Sequence, residues 1–237
     1  MLDTSAVVGG VADGVVLSLN DDLLTPPENR PTWENANPAH SAVPLPGRPF
    51  ALVTDEVYGT FTVPSHGCPW GWVRTINVAQ PRRPHIVGEY QIRQNTEAFC
   101  ETLAPDSPTN RLTSFASHNP TLTRNLAFIA WHSGGLQAID VSGPANPKQA
   151  GWFSPEPLTS VATEDPALSR GPNQVVVWSF PVISEGLVYV VDIRNGLYIL
   201  RYTGKHARQV DAVEFLEGAS NLGDAARIDM SARPPQR

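Results

Sequence analysis

Charge is scarce in this chain. Asp, Glu, Lys and Arg make up 17 % of its 237 residues, with 17 basic against 23 acidic side chains and a formal net charge of −6. A surface with that balance has no basic face to neutralise a phosphate backbone, which excludes nucleic-acid binding. No stretch approaches the roughly 20 apolar residues of a membrane-spanning helix. MLDTSAVVGG, residues 1–10, has neither a basic leader nor a long apolar core, so no signal peptide is visible. Helical periodicity is nearly absent, and only Asn95 to Thr102 and Asp211 to Glu217 carry it. GxSxG is missing, and with it the nucleophile elbow; no glycine-rich loop carries the lysine of a phosphate cradle. No HxH or HxxxH spacing occurs. The two cysteines, Cys68 and Cys100, are too few and too far apart for a zinc ribbon.

Proline is plentiful, with 23 residues, and so are short alternating apolar stretches. In AFIAWHSGGLQAIDVSGPANPKQAGWF, residues 127–153, one β-branched and aromatic run passes through Gly134-Gly135 into a second. That is a hairpin pattern. Pro144 and Pro147 then exclude a helix and form a rigid link, after which Gln149 to Phe153 can extend as an outer strand.

The unit recurs. An offset of 63 residues carries VRTINVAQPRRPHIVGEYQI, residues 73–92, onto residues 136–155 without a gap, with Ile76 on Ile139, Asn77 on Asp140, Pro81 on Pro144, Pro84 on Pro147 and Gly88 on Gly151. LVYVVDIRNGLYILRY, residues 187–202, repeats the hairpin around Gly196 but lacks the prolines, and GVADGVVLSLN, residues 10–20, is a weaker copy around Gly14. Copies centred near residues 14, 72, 135 and 196 predict an all-β chain of antiparallel blades, about four repeats of about 60 residues each. Solenoid coils are shorter than this, and a β-sandwich would not carry PxxP at matching places, so the expected architecture is a β-propeller. Residues 1–219 are expected to form one propeller-type domain, incomplete at its N-terminus and part of a larger propeller, and residues 220–237 a polar tail. Thr25 to Pro49, with seven prolines, reads as a long crossing between blades.

Residues 127–153 resemble the repeat of the bacterial LVIVD-repeat family: an apolar strand, Gly-Leu, a second strand ending in Asp-Val-Ser, then two prolines three apart and a glycine. Gly135, Leu136, Asp140, Val141, Ser142, Pro144, Pro147 and Gly151 carry the pattern. The copy at Val73 keeps Val78, Pro81, Pro84 and Gly88 but has Trp72 and Asn77 where the pattern has glycine and aspartate. ALVTDE (51–56), TSFASHNP (113–120) and GLYILRYTGKHARQVD (196–211) are similar to the C-terminal part of exported actinobacterial members. The resemblance implies propeller blades in a secreted or surface-attached protein, and a longer chain with a leader and more repeats ahead of this region. Within the repeat, Asp140 or Asn77 is expected to accept hydrogen bonds from the following turn, and Gly151 to let an outer strand pass close. These roles are structural.

The low charge and a surface rich in Ser, Thr, Asn and Pro also favour the cell exterior. There Cys68 and Cys100 read as a disulfide worth about 3–4 kcal/mol, the alternative being two separate buried thiols.

Function is sought in the loops. Trp70, Trp72 and Trp33 lie in proline- and glycine-bounded segments where rigid aromatic area could meet a protein or glycan, whereas Trp131, Trp152 and Trp178 have strand neighbours and read as core. The stretch Pro155 to Gly171 is a second candidate surface. His66, His118, His132 and His206 also stand out. His66 and His118 with Glu56 form a conceivable divalent-metal set at a channel mouth; the competing reading has His118 capping a turn and His132 exposed on a hairpin tip. Asp55-Glu56 with Glu164-Asp165 would be the carboxylate pair of a glycosidase only if distant loops met. The expectation is therefore a non-catalytic secreted or cell-surface scaffold without a cofactor, and its rival a metal-dependent enzyme with histidines at the channel mouth.

Overall fold

The computed structural model describes residues 2–3, 15–16, 39–56, 71–103, 115–164 and 174–218. The described chain is built from β-strands. β1 (Leu2–Asp3) and β2 (Val15–Val16) pair as a short ribbon beside three four-stranded antiparallel sheets. The first sheet runs in order through β3 (Ala39–Pro44), β4 (Phe50–Asp55), β5 (Val73–Asn77) and β6 (His85–Tyr90). The second is β7 (Pro120–Leu122), β8 (Leu126–Ala130), β9 (Leu136–Asp140) and β10 (Lys148–Phe153). β11 (Val182–Ser184), β12 (Leu187–Asp192), β13 (Gly196–Leu200) and β14 (Phe215–Glu217) make the third, in the order β13-β12-β11-β14.

The second sheet is buried on both faces. Ala127, Ile129 and Ile139 join Leu52 and Val73 of the first sheet in one apolar cluster, while Leu126, Phe128, Ala130, Leu136 and Ala138 join Ile183, Val188, Val190 and Leu216 of the third in another. Successive side chains of a strand point to opposite faces, so a strand with a core on each side must be apolar throughout. That is why β8 reads LAFIA with no polar position.

The 63-residue repeat is visible in the register. β5 and β9, and likewise β6 and β10, occupy positions that differ by that offset. Both pairs also carry their irregularity at the same place, between Thr75 and Ile76 opposite Gly88 and Ile86, and between Gln149 and Gly151 opposite Ile139 and Ala138. Each second strand ends in the same local bond: Ala79 N donates to Asn77 Oδ1 at 2.9 Å and Ser142 N to Asp140 Oδ1 at 2.8 Å.

The third copy has lost its prolines, and with them its outer strand. β13 corresponds to β9, and in the third sheet it is an edge, with Leu197 and Ile199 exposed. The fourth strand comes instead from β14, added on the opposite side against β11. This overturns the helix expected over Asp211 to Glu217. The helix there, α2 (Ala207–Asp211), stops where Leu216 is needed in the core, so Phe215–Glu217 extends. α1 (Glu97–Cys100) falls inside the other expected helix and is capped by Thr96, which accepts from Phe99 N. Thr25 to Pro49 is not a plain crossing, because β3 lies within it. Residues 25–38 and the segment around Gly14, β2 apart, lie outside the described residues, as do residues 219–237.

The glycines of the repeat differ in what they do. Gly151 has room, since a Cβ there would meet Tyr202 Cε2 at 3.4 Å and Ala138 Cβ at 3.8 Å. The close approach falls at Gly88, whose added carbon would run into the backbone of Pro144 and Ala145 in the neighbouring sheet. Gly135, at φ +75°, has the Phe153 carbonyl against its α-carbon. Gly135→Ala is expected to cost about 2–4 kcal/mol, from left-handed strain plus the clash. Gly143→Ala, where nothing lies within 4 Å, should be near neutral. Urea unfolding of the two variants checks the contrast.

Candidate metal centre

Each of the first two sheets opens a hairpin at the same end, and the third closes against it. In the first sheet His40 lies near the start of β3 and Glu56 just past the end of β4, whose last residue Asp55 pairs with Ala39. In the second, His118 precedes β7 and His132 follows β8, where Pro120 pairs with Ile129. From the third sheet's side, Val177 bridges both His132 and Asp192 and places Trp178 beside the imidazoles.

Three imidazoles converge on one carboxylate. Glu56 Oε1 is 3.2 Å from His118 Nε2 and 3.3 Å from His132 Nε2, and Oε2 is 3.6 Å from His40 Nε2. Ligand atoms of His40, Glu56 and His118 all lie within 4.8 Å of one another. Exposure falls steeply across the group: the side chains of His40, Glu56, His118 and His132 are 33, 13, 4 and 1 % accessible.

The other ring nitrogens of His118 and His40 are engaged away from the carboxylate. His118 Nδ1 is 2.7 Å from the Trp178 carbonyl, which can only accept, so Nδ1 carries the proton. Asn119 Nδ2 donates to the same carbonyl at 3.0 Å. His40 Nδ1 meets Ser41 Oγ at 2.8 Å, and Ser41 Oγ donates to Asn119 Oδ1 at 3.4 Å. The His132 ring stacks on the Trp178 indole, 4.5 Å between centroids at 9°. Its backbone has φ 39°, a left-handed value that a non-glycine residue rarely takes, and the Gly135 N and Val177 N bonds to its carbonyl hold it there.

Bonds between sheets fix the flanking residues. Thr54 Oγ1 donates to the His118 carbonyl at 2.5 Å, and Asp55 N donates to Ser117 Oγ at 3.1 Å.

Burial pushes the His118 imidazole down to about 4, helped by the neighbouring His132 and opposed by Glu56. At neutral pH it is therefore uncharged. His132 is also pushed down, again chiefly by burial. Burial alone would raise Glu56, but the close approach of His132, followed by the attraction of His118 and His40, holds it below its ordinary value. The result is an ionised carboxylate facing the lone pair of a neutral imidazole. Glu56 Oε1 is buried without a hydrogen bond of good geometry. Two electron-rich atoms 3.2 Å apart need a cation between them or a proton.

Of the expected metal set, His118 and Glu56 come together and His66 lies outside the described residues. His132 is not a hairpin tip. It is fully buried, because the reversal through Gly134 and Gly135 begins one residue later and tucks the ring inward. His118 does not cap a turn with Asn119; both reach across to Trp178. His40 escaped the sequence reading, having no spacing to either partner that a local motif would show. His206 stands apart, 3.5 Å from Asp140, which also pairs with Lys205.

The aromatic surface expected of Trp72 is also corrected. Trp72 is 4 % exposed, packed in the first core cluster with the Arg74 guanidinium 4.9 Å over its ring. Arg74 is itself buried between Asp55 and Glu89, and burial lowers it to about 10, still charged at neutral pH. Trp70 and Trp33 lie outside the described residues. Trp152, expected in the core, is exposed at 68 %, because β10 is an edge strand. Among the described residues the glycosidase-type pairing does not form: Asp55 is taken by Arg74, Glu164 pairs with Arg194 at 2.6 Å, and Asp165 lies outside the described residues. Arg194 Nη1 also donates to the Leu158 carbonyl, which ties the described part of the Pro155 to Gly171 stretch to the β12–β13 turn. Cys100 carries no free thiol, and Cys68 lies outside the described residues.

Comparison with known proteins matches residues 122–153 to the LVIVD repeat. The match runs from the last residue of β7 to the end of β10 and supports reading the second sheet as one unit of a repeat protein. No curated protein matches the chain. No helix among the described residues is long and apolar enough to cross a membrane.

Proposed function

We propose that this chain is a metal-binding protein built on propeller blades, holding one divalent transition-metal ion between the first and second sheets. The observation that carries the reading is that ligand atoms of His40, Glu56 and His118 all lie within 4.8 Å of one another, with the uncharged His118 Nε2 3.2 Å from the ionised Glu56 Oε1. An ion bonded at about 2.0–2.1 Å to tetrahedral ligands separates them by about 3.3 Å. The engaged Nδ1 atoms of His118 and His40 are the outer hydrogen bonds that orient metal-ligating imidazoles. Imidazole and carboxylate together suit zinc, iron, copper or cobalt better than calcium or magnesium. The propeller reading is supported by three four-stranded antiparallel sheets, the second packed between the first and the third. The secreted or cell-surface location is part of the same proposal, as is a Cys68–Cys100 disulfide.

Zinc titrated into the full chain after treatment with chelator is expected to bind at one equivalent. Elemental analysis after equilibrium dialysis reads the stoichiometry, and at a free concentration 100-fold above Kd the fold should gain about 2.7 kcal/mol. A chain that retains no zinc, copper, cobalt or iron overturns the reading.

A second reading, a scaffold for a protein or glycan, keeps one observation in its favour. Trp152 stands exposed at a groove of about 520 Å³ that is also lined by Tyr90, Arg93, Gln137 and Gln149. An aromatic face beside amide side chains suits a sugar ring. Trp152→Ala would abolish glycan capture if this groove is the working site and leave metal binding untouched.

A further inference from the structure

We infer that the outer face of the third sheet is a dimerisation surface, on which a second copy of this chain packs its own third sheet about a twofold axis. The inference goes beyond the metal reading and does not depend on it. The step from Gly135 to Gly196, 61 residues, lays β8 on β12 and β9 on β13. Under it Phe128 falls on Tyr189, Ala130 on Val191, Leu136 on Leu197 and Ala138 on Ile199. In the second sheet these positions are buried in one cluster with Ile183, Val188 and Val190 of the third. In the third sheet the equivalent face is bare. Val191, Leu197 and Ile199 are 40, 59 and 55 % exposed, and the pairings Val191–Leu197 and Tyr189–Ile199 set them side by side. Phe215 of β14 is exposed on the same face, since it pairs with Ser184, which pairs in turn with Leu187.

The two strands are written for cover on both sides. LVYVV of β12 and LYIL of β13 hold no charged position, just as LAFIA of β8 holds none between its two cores. A sheet with one wet face would alternate apolar with polar instead. Among the described residues, four of the seven exposed large apolar side chains lie on this face, and apolar side chains gathered in that way mark an interaction surface. What fits it is another apolar sheet face, as the third sheet fits the second. Head-to-tail stacking would bring up the far side of the next copy's first sheet, where Val53, Arg74 and Ile76 point away from the second sheet. That side is already covered, because all three are buried. The third sheet's own face remains, apolar at its centre, and two such faces complement each other about a twofold axis.

Sedimentation equilibrium of the full chain, with chelator present so that no metal bridges two copies, is expected to return the mass of two chains at about 10 µM. Ile199→Lys puts a charge on a side chain that the single chain leaves more than half exposed. It should keep its circular dichroism spectrum and sediment as one chain, with self-association weakened about 100-fold or more. Leu197→Lys, at the other exposed position of β13, should do the same and serves if the first variant misfolds. Trp152→Lys, also at an exposed side chain but off this face, should leave the dimer intact. Mixed with the unsubstituted chain, Ile199→Lys should not join it, because a twofold contact uses the same face on both copies. Four results would each overturn the inference: an unsubstituted chain that stays single at about 100 µM, a dimer that survives both folded lysine variants of β13, a dimer lost to Trp152→Lys, or an Ile199→Lys chain that joins the unsubstituted one at full affinity.

Discussion

Glu56→Ala is expected to weaken zinc binding by more than 100-fold and to leave the fold almost unchanged. Removing a hydrogen-bonding neighbour of a metal ligand commonly costs 10–100-fold, so losing the one anionic ligand should exceed that range. The fold has little to lose, because Glu56 lies beyond the last residue of β4 and belongs to neither apolar cluster. Glu56→Gln separates charge from shape. It keeps an oxygen that can ligate but removes the negative charge, and should fall between the alanine variant and the unsubstituted chain. A chelator competition titration measures all three. Equal affinity in the three would mean that the carboxylate sits among the imidazoles only as their counter-charge.

Trp131→Ala should be the most destabilising single change in the second sheet, costing about 4–5 kcal/mol. The ring is fully buried in the first cluster and stands edge-on to Tyr90 at 5.9 Å. Its Nε1 donates to the Phe115 carbonyl at 2.5 Å and to Asn95 Oδ1 at 3.1 Å, and Asn95 Nδ2 donates to the same carbonyl at 2.8 Å. The substitution therefore opens a cavity and also takes a donor away from the Phe115 carbonyl and Asn95 Oδ1. Trp131→Phe keeps most of the volume, and its expected cost of about 2–3 kcal/mol isolates the indole hydrogen bonds. Both should lower the urea midpoint without changing the m-value. A midpoint that moves by less than the equivalent of about 1 kcal/mol would show that the ring is replaceable by water.

The strands were legible because their signals are local or repeated. LAFIA and LQAID announce a hairpin between two cores, and the 63-residue offset found in the sequence reappears as identical strand positions with the bulge in the same place. Even the loss of prolines after Gly196 had a structural counterpart, the missing outer strand of the third sheet. The misread helix over Asp211 to Glu217 shows the limit: helical spacing there yielded to the need of β11 for a partner.

The site was half legible. Glu56 and His118 sit in two of the segments that resemble the family, and both were named as ligand candidates. His40 could not be found the same way, because it reaches Glu56 only through the pairing of Ala39 with Asp55, and no sequence interval signals that. His132 was misplaced for a different reason. A histidine beside Ser-Gly-Gly has the look of an exposed turn, and only its left-handed backbone turns the ring inward onto Trp178. The tryptophans show the same asymmetry between face and edge. Trp72 directly precedes a strand that is paired on both sides, whereas Trp152 lies on an edge strand, and alternation alone does not reveal which strand of a sheet is its edge.

The most direct measurement is anomalous diffraction from a crystal of the full chain grown with zinc, with data collected on both sides of the zinc edge. The account predicts one strong peak within about 2.0–2.2 Å of a Glu56 carboxylate oxygen and of one ring nitrogen each of His40 and His118. Zinc bound only elsewhere, with Glu56 closed onto a protonated imidazole in the same crystal, would contradict it.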